Sequence, residues 1–189
     1  MDNALIVSSV AKSAAYIANM ISAASVLDIT SVRSCADARR LLLARTFDLV
    51  VINAPLADET GERLARDIAS QSIGQVILIV KSEFYDEVAV KCEEDGVLIV
   101  AKPVNRDVLW SSLRLAGAAY NRLKRAQAET ALLTQKIEDI RIIDKAKYML
   151  IYFRGMREQD AHRYIEKQAM DKRSTRRAVA EEILEEYGE

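Results

Sequence analysis

Between positions 145 and 177 the chain carries ten cations: Lys145, Lys147, Arg154, Arg157, Arg163, Lys167, Lys172, Arg173, Arg176 and Arg177. Only Glu158, Asp160, Glu166 and Asp171 oppose them there, and the following Glu181-Glu182 and Glu185-Glu186 make the tail acidic. A local excess of ammonium and guanidinium groups suits the binding of phosphates. Lys172, Arg173, Arg176 and Arg177 straddle a turn after which Ser174 or Thr175 should cap a helix, so their charge converges where backbone N–H groups are free. Rings and an amide are interleaved: Tyr148, Tyr152, His162, Tyr164 and Gln168 could stack on bases or read their edges. The contacts expected from this pattern are Lys147, Tyr152, Arg163, Gln168, Lys172, Arg173, Arg176 and Arg177. Each has a plainer alternative, because a charge run is usually a solvated face and Tyr164 falls on an apolar stripe.

Other chemistry is poorly provided for. The 189 residues have a net charge of −1, so attraction to a polyanion must come from local clustering. His162 is the only histidine, and Cys35 and Cys92 lack metal-ligand spacing; the expectation is reduced buried thiols, no metal, no cofactor and no enzyme activity. No apolar run approaches the ~20 residues of a membrane span, and the start Met1-Asp2-Asn3 does not read as a signal peptide, which points to a cytoplasmic protein.

The elements that must position these residues fall into two kinds. Ala4–Val7, Val26–Val32, Leu49–Ile52, Val76–Val80 and Val97–Val100 are short β-branched runs with the pattern of strands buried on both faces. Helical patterns lie between them, at roughly 10–24, 34–46, 58–71 and 84–94. Five alternations predict a five-stranded parallel sheet covered by helices, an α/β fold whose site lies beyond the carboxyl ends of the strands. From Arg106 to about Phe153 there is no proline and one glycine, Gly117, which predicts one long helix. With Leu109 at heptad position a, the line Leu109, Ala116, Leu123, Leu133, Ile137 and Ile140 is the expected seam of a parallel homodimeric coiled coil. After Ile143 the apolar spacing changes phase. Ala146, Met149, Leu150 and Phe153 form one face, Ala161, Tyr164, Ile165 and Ala169 a second, and Val179, Ala180, Ile183, Leu184 and Tyr187 a third, predicting an all-α three-helix bundle.

The first half resembles the response-regulator receiver domain, a flavodoxin-like fold. In that family two acidic residues after strand one hold magnesium, an aspartate ending strand three accepts a phosphoryl group, and Lys-Pro follows strand five. The resemblance places Ser8-Ser9 and Asn53 at the first two sites and leaves only Lys102-Pro103 intact. An amide cannot form an acyl phosphate. Asp58 and Glu59, in the following loop, could in principle supply a carboxylate. The reading is a pseudo-receiver without a phospho-acceptor.

The second half resembles an ANTAR domain, the RNA-binding module of bacterial transcription antiterminators. The resemblance rests on Ala146-Lys147, Met149-Leu150, Glu158 through Ile165, Gln168 through Arg173, Val179-Ala180 and Ile183. It implies binding to paired hairpins in a nascent leader transcript. The domain expectations are 1–115 for the receiver-like part, 106–142 for the coiled-coil helix and 143–189 for the ANTAR bundle. Control would come from dimerisation or from a ligand-sensing partner protein. The competing readings are a DNA-binding transcriptional regulator, for which no base-reading recognition helix stands out, and a protein-interaction module, which predicts no salt-dependent affinity for RNA.

Overall fold

The computed structural model describes residues 1–24 and 26–187. The chain divides into two compact units, Met1–Arg125 and Ala126–Glu189. The last two positions expected in the C-terminal domain, Gly188 and Glu189, lie outside the described residues.

In the first unit, β1 (Asn3–Val7), β2 (Asp28–Val32), β3 (Leu49–Asn53), β4 (Gln75–Lys81) and β5 (Leu98–Lys102) form one parallel sheet in the order β2-β1-β3-β4-β5. Helices α1 (Ala11–Ala23), α2 (Cys35–Ala44), α3 (Glu62–Gln71) and α4 (Tyr85–Cys92) alternate with the strands, and a 3₁₀ turn, Ser82–Phe84, precedes α4. The two-residue alternation of side chains splits the strand residues between two cores. Leu5, Val7, Val50, Ile52, Leu78 and Val80 pack under α2, α3 and α4; Ala4, Ile6, Leu49, Val51, Ile77 and Ile79 pack under α1 and the start of α5. The expectation of strands buried on both faces holds for β1, β3 and β4. β2 and β5 are edges and less buried, β2 being exposed or half-buried throughout and β5 half-buried except at Val100, because each has a neighbour on one side only.

Gly61 starts α3 in the left-handed region (φ 85°), and a Cβ there would stand 2.8 Å from Ile52 Cγ2, so this bend over the end of β3 requires glycine.

Helix α5 (Arg106–Arg154) is continuous for 49 residues and changes its role along its length. Leu109, Leu113, Ala116 and Tyr120 are buried in the first unit. This corrects the dimer seam at its beginning: Leu109 and Ala116 are occupied by the α/β core, where the sheet face needs a fifth covering helix, and are unavailable to a second chain. Tyr120 also donates its hydroxyl to Asp48 Oδ1 (2.6 Å), so the helix stays tied to the sheet beyond position 115. Leu123, Leu133, Ile137 and Ile140 remain exposed.

The second unit joins the end of α5 to α6 (Glu158–Asp171) and α7 (Arg176–Tyr187). Its core is Ala146, Leu150, Ala161, Ile165, Ala169, Val179, Ala180 and Ile183, half of them alanines, which lets the three helices approach closely. Gly155 (φ 65°) stops α5, its N–H bonding Ile151 O at 3.1 Å. Phe153, expected on the inner face, is instead mostly outside and stacks on Tyr187 with ring centroids 5.2 Å apart.

Candidate functional site

Two groups of residues were singled out by sequence, one in each unit. At the carboxyl end of the sheet, Ser8 and Asn53 are 2% and 6% exposed. Asn53 donates its side-chain N–H to Ser8 Oγ (3.0 Å), and Ser8 Oγ donates in turn to Val10 O (3.2 Å) while receiving the Val10 N–H at 3.4 Å. Lys102 donates its ammonium to Ala54 O, and Ser82 donates its hydroxyl to Lys102 O. Burial and the neighbouring Lys81 push the Lys102 ammonium below its usual pKa. The Ala54–Pro55 and Lys102–Pro103 peptide bonds are both cis. Ser9 is exposed. Every polar group that the family pattern would direct at a phosphoryl group therefore has a protein partner or faces solvent.

Asp58 and Glu59, the acids expected as substitutes, are committed to α2. Asp58 accepts from the backbone N–H groups of Cys35 (3.1 Å) and Ala36 (3.0 Å), the donors a helix start leaves free, and these hold its carboxyl below the usual range. Glu59 makes a two-pronged pair with Arg39, which lowers its pKa likewise. Cys35 sits beside them as a buried free thiol whose pKa is pushed up to about 11, chiefly by burial, so it stays protonated; Cys92 is also free and buried.

The basic group behaves differently residue by residue. Lys147, only 16% exposed along its side chain, bridges Asp144 (2.7 Å) and Glu158 (3.0 Å), which joins α5 to α6. Lys172 pairs with Glu182, Arg176 with Glu166 (3.2 Å), and Arg177 with both Asp139 and Glu181 at 2.8 Å. The expected convergence of these charges on a free helix end is thereby corrected. Thr175 caps α7 by accepting the Ala178 N–H (3.1 Å), and Lys172, Arg176 and Arg177 each have a carboxylate within reach that would oppose a phosphate. Gln168 is half-buried at the edge of the core. Arg154 is clamped by the hydroxyls of Tyr187 (2.5 Å) and Tyr164 (3.0 Å) and by Glu186. By contrast, Arg163 and Arg173 are exposed and have no ion-pair partner among the described residues, and the same is true of Lys145, Arg157 and Lys167. Tyr148 and Tyr152 are exposed and stacked, 6.3 Å between centroids, on the face of α5 opposite its buried residues.

The profile of the ANTAR domain family matches residues 131–184, which covers all of α6 and all but the end of α7. Residues 131–184 form an ANTAR domain. The match starts within α5, twelve residues before the phase change at Ile143. The chain is also homologous to the transcriptional regulatory protein PdtaR of Mycobacterium tuberculosis, 28% identical over 141 residues, which is 75% of this chain and 69% of PdtaR. The α/β unit has the fold of solved receiver domains. One is the signal receiver domain of an HD-domain protein from Pseudomonas fluorescens (TM-score 0.57, 22% identity, 66% of this chain and 92% of that one). Another is a CheY-like receiver from Methylobacillus flagellatus (TM-score 0.52, 19% identity, 61% and 98%). The chain thus joins a receiver-fold unit to an ANTAR domain. Among the described residues no helix is long and apolar enough to cross a membrane.

Proposed function

We propose that the chain is an RNA-binding transcription antitermination regulator whose ANTAR domain binds hairpins in nascent leader RNA. It works without phosphorylation of its receiver-like unit. The observation that carries this reading is the coincidence of the ANTAR match with a separately cored three-helix module that retains exposed, unpaired cations. Such cations supply the salt-dependent, sequence-independent part of affinity for nucleic acid. A regulator that meets transcripts as they are made works in the cytoplasm, and it needs no enzymatic step or cofactor.

Two features support the control side of the reading. Asn53 and Ser8 satisfy each other where the receiver pattern needs carboxylates, so the unit serves as a docking or dimerising module answerable to a partner such as a ligand-sensing protein. Leu123, Leu133, Ile137 and Ile140 leave an apolar stripe on a helix section that is otherwise solvated on all sides, the arrangement of a chain that pairs with a second copy.

The test is binding of the full chain, without phosphodonor, to RNA carrying two tandem hairpins and to duplex DNA of the same length across a salt series. Hairpin-dependent binding that weakens with salt supports the proposal. Preference for duplex DNA would replace it with the DNA-binding reading, and no affinity for either would favour a protein-interaction module. Sedimentation of an Ile137→Glu/Ile140→Glu variant, expected to be monomeric, tests the dimer.

A further inference from the structure

The ANTAR module divides its cations into two classes, and the division says where RNA lies. On α6, Ala161, Ile165 and Ala169 are buried, and the line directly opposite is Gln159, Arg163, Lys167 and Met170. Arg163 and Lys167 are one turn apart on that line. Asp160 and Asp171 border it on one side without forming an ion pair with either. Met170 is 79% exposed, an unusual setting for a thioether side chain with no protein neighbour to pack against.

Arg173 stands at the end of the same helix. The Ser174 N–H bonds Ala169 O (2.9 Å) and the Arg173 N–H bonds Met170 O (3.2 Å), the closing turn of a helix whose penultimate member takes a left-handed backbone. That position normally belongs to glycine. Here it is Arg173 at φ 51°, the only non-glycine with positive φ among the described residues. Arg173 is exposed and makes no ion pair, so no charge contact of its side chain offsets the unfavourable backbone region.

Resting on the RNA-binding reading above, we propose that the RNA backbone runs along the outward line of α6, held by Arg163 and Lys167 and ending at Arg173, with the Met170 side chain against an unstacked base. Lys147, Lys172, Arg176 and Arg177 act instead in holding the three helices together. A phosphate approaching any of these four meets the carboxylate that already neutralises it; Arg163, Lys167 and Arg173 have no carboxylate within ion-pair distance among the described residues.

The decisive variant is Arg173→Gly in the full chain, measured against a labelled pool of two-hairpin RNAs with randomised loops and, separately, by thermal unfolding. Glycine suits the left-handed turn, so the expected result is an unfolding midpoint equal to or above that of the parent together with about tenfold weaker binding. The Arg163→Ala/Lys167→Ala pair should make the dependence of log affinity on log salt shallower by about 0.7 to 1 per cation removed, whereas Lys172→Ala/Arg176→Ala should leave that slope unchanged. Parent-like binding by Arg173→Gly, or a fall in both affinity and midpoint, overturns the assignment of Arg173. A slope that falls for Lys172→Ala/Arg176→Ala and not for Arg163→Ala/Lys167→Ala overturns the α6 line. If the parent chain binds none of the pool at low salt, the RNA-binding reading itself fails and takes this inference with it.

Discussion

The end of the sheet in the receiver-like unit and the outer face of α6 are both rich in polar side chains, but they are built on opposite rules. Around Asn53 each donor has an acceptor inside the protein: the amide on Ser8, the Ser8 hydroxyl on Val10 O, the Lys102 ammonium on Ala54 O. Along α6 and its C-terminal turn, Arg163, Lys167 and Arg173 have none among the described residues. A satisfied group gains little from a ligand, because any new bond replaces an old one, whereas an exposed unpaired cation needs only to release its solvent and counterions. The first region is thus satisfied within the protein, and the second is the face proposed to contact RNA.

The largest test of that division is Leu150→Ala. Leu150 is fully buried in a core otherwise made largely of small residues, and its truncation should cost about 2–5 kcal/mol. In so small a module this should melt the helices and abolish RNA binding, as read by circular dichroism and gel shift, while leaving every unpaired cation in the sequence. Retained binding would show that contact does not need the folded face.

Tyr120→Phe probes the scaffold at its other end. Losing a bond to a carboxylate should lower the stability of the α/β unit by about 1–3 kcal/mol at neutral pH, measured by urea unfolding. Burial of Asp48 works to raise its pKa, but the Tyr120 hydroxyl and the Asp2 N–H, 2.5 Å away, outweigh it and hold the carboxyl below its usual range. A depressed folded-state pKa stabilises above the unfolded value of about 3.9 and is lost as pH falls through the folded value. The gap between parent and variant should therefore be widest at neutral pH and narrow in acid; a gap that widens in acid would contradict this account.

Asn53→Asp puts a carboxylate at the end of β3 without the acids expected beside it. No labile phosphate should be incorporated from acetyl phosphate with magnesium present, and RNA affinity should not change. Labelling accompanied by altered affinity would reopen the pocket and undo the contrast between the two regions. Among the cations of the C-terminal module, the smallest effect is expected for Lys147→Met. Its ammonium already spans Asp144 and Glu158, so affinity should stay within about twofold of the parent.

Much of this molecule follows from the order of its residues. The β-branched runs, their alternation with helical patterns, the long glycine-poor and proline-free helix and the three apolar faces after Ile143 specify local structure, because period and propensity act over a few residues. That Ser8, Ser9 and Asn53 carry no carboxylate is equally plain, being a matter of residue type. What could not be read is which side chains meet across the fold. Leu109 and Ala116 satisfy a heptad as well as they satisfy a sheet, and only the packed structure shows the sheet taking them. Lys147, Lys172, Arg176 and Arg177 look like the best phosphate ligands in a linear count. Lys147 and Arg177 each have one partner on their own helix, Asp144 and Glu181, but the partners Glu158, Glu182, Glu166 and Asp139 lie 10, 11 or 38 positions away and come within reach when three helices close on one core. Arg163 and Arg173 are distinguished from them by the absence of any such partner, and Arg173 also by a backbone angle. Sequence determined how much positive charge the module has; tertiary structure decided which of it is free, because pairing depends on distances of about 4 Å that no one-dimensional pattern encodes.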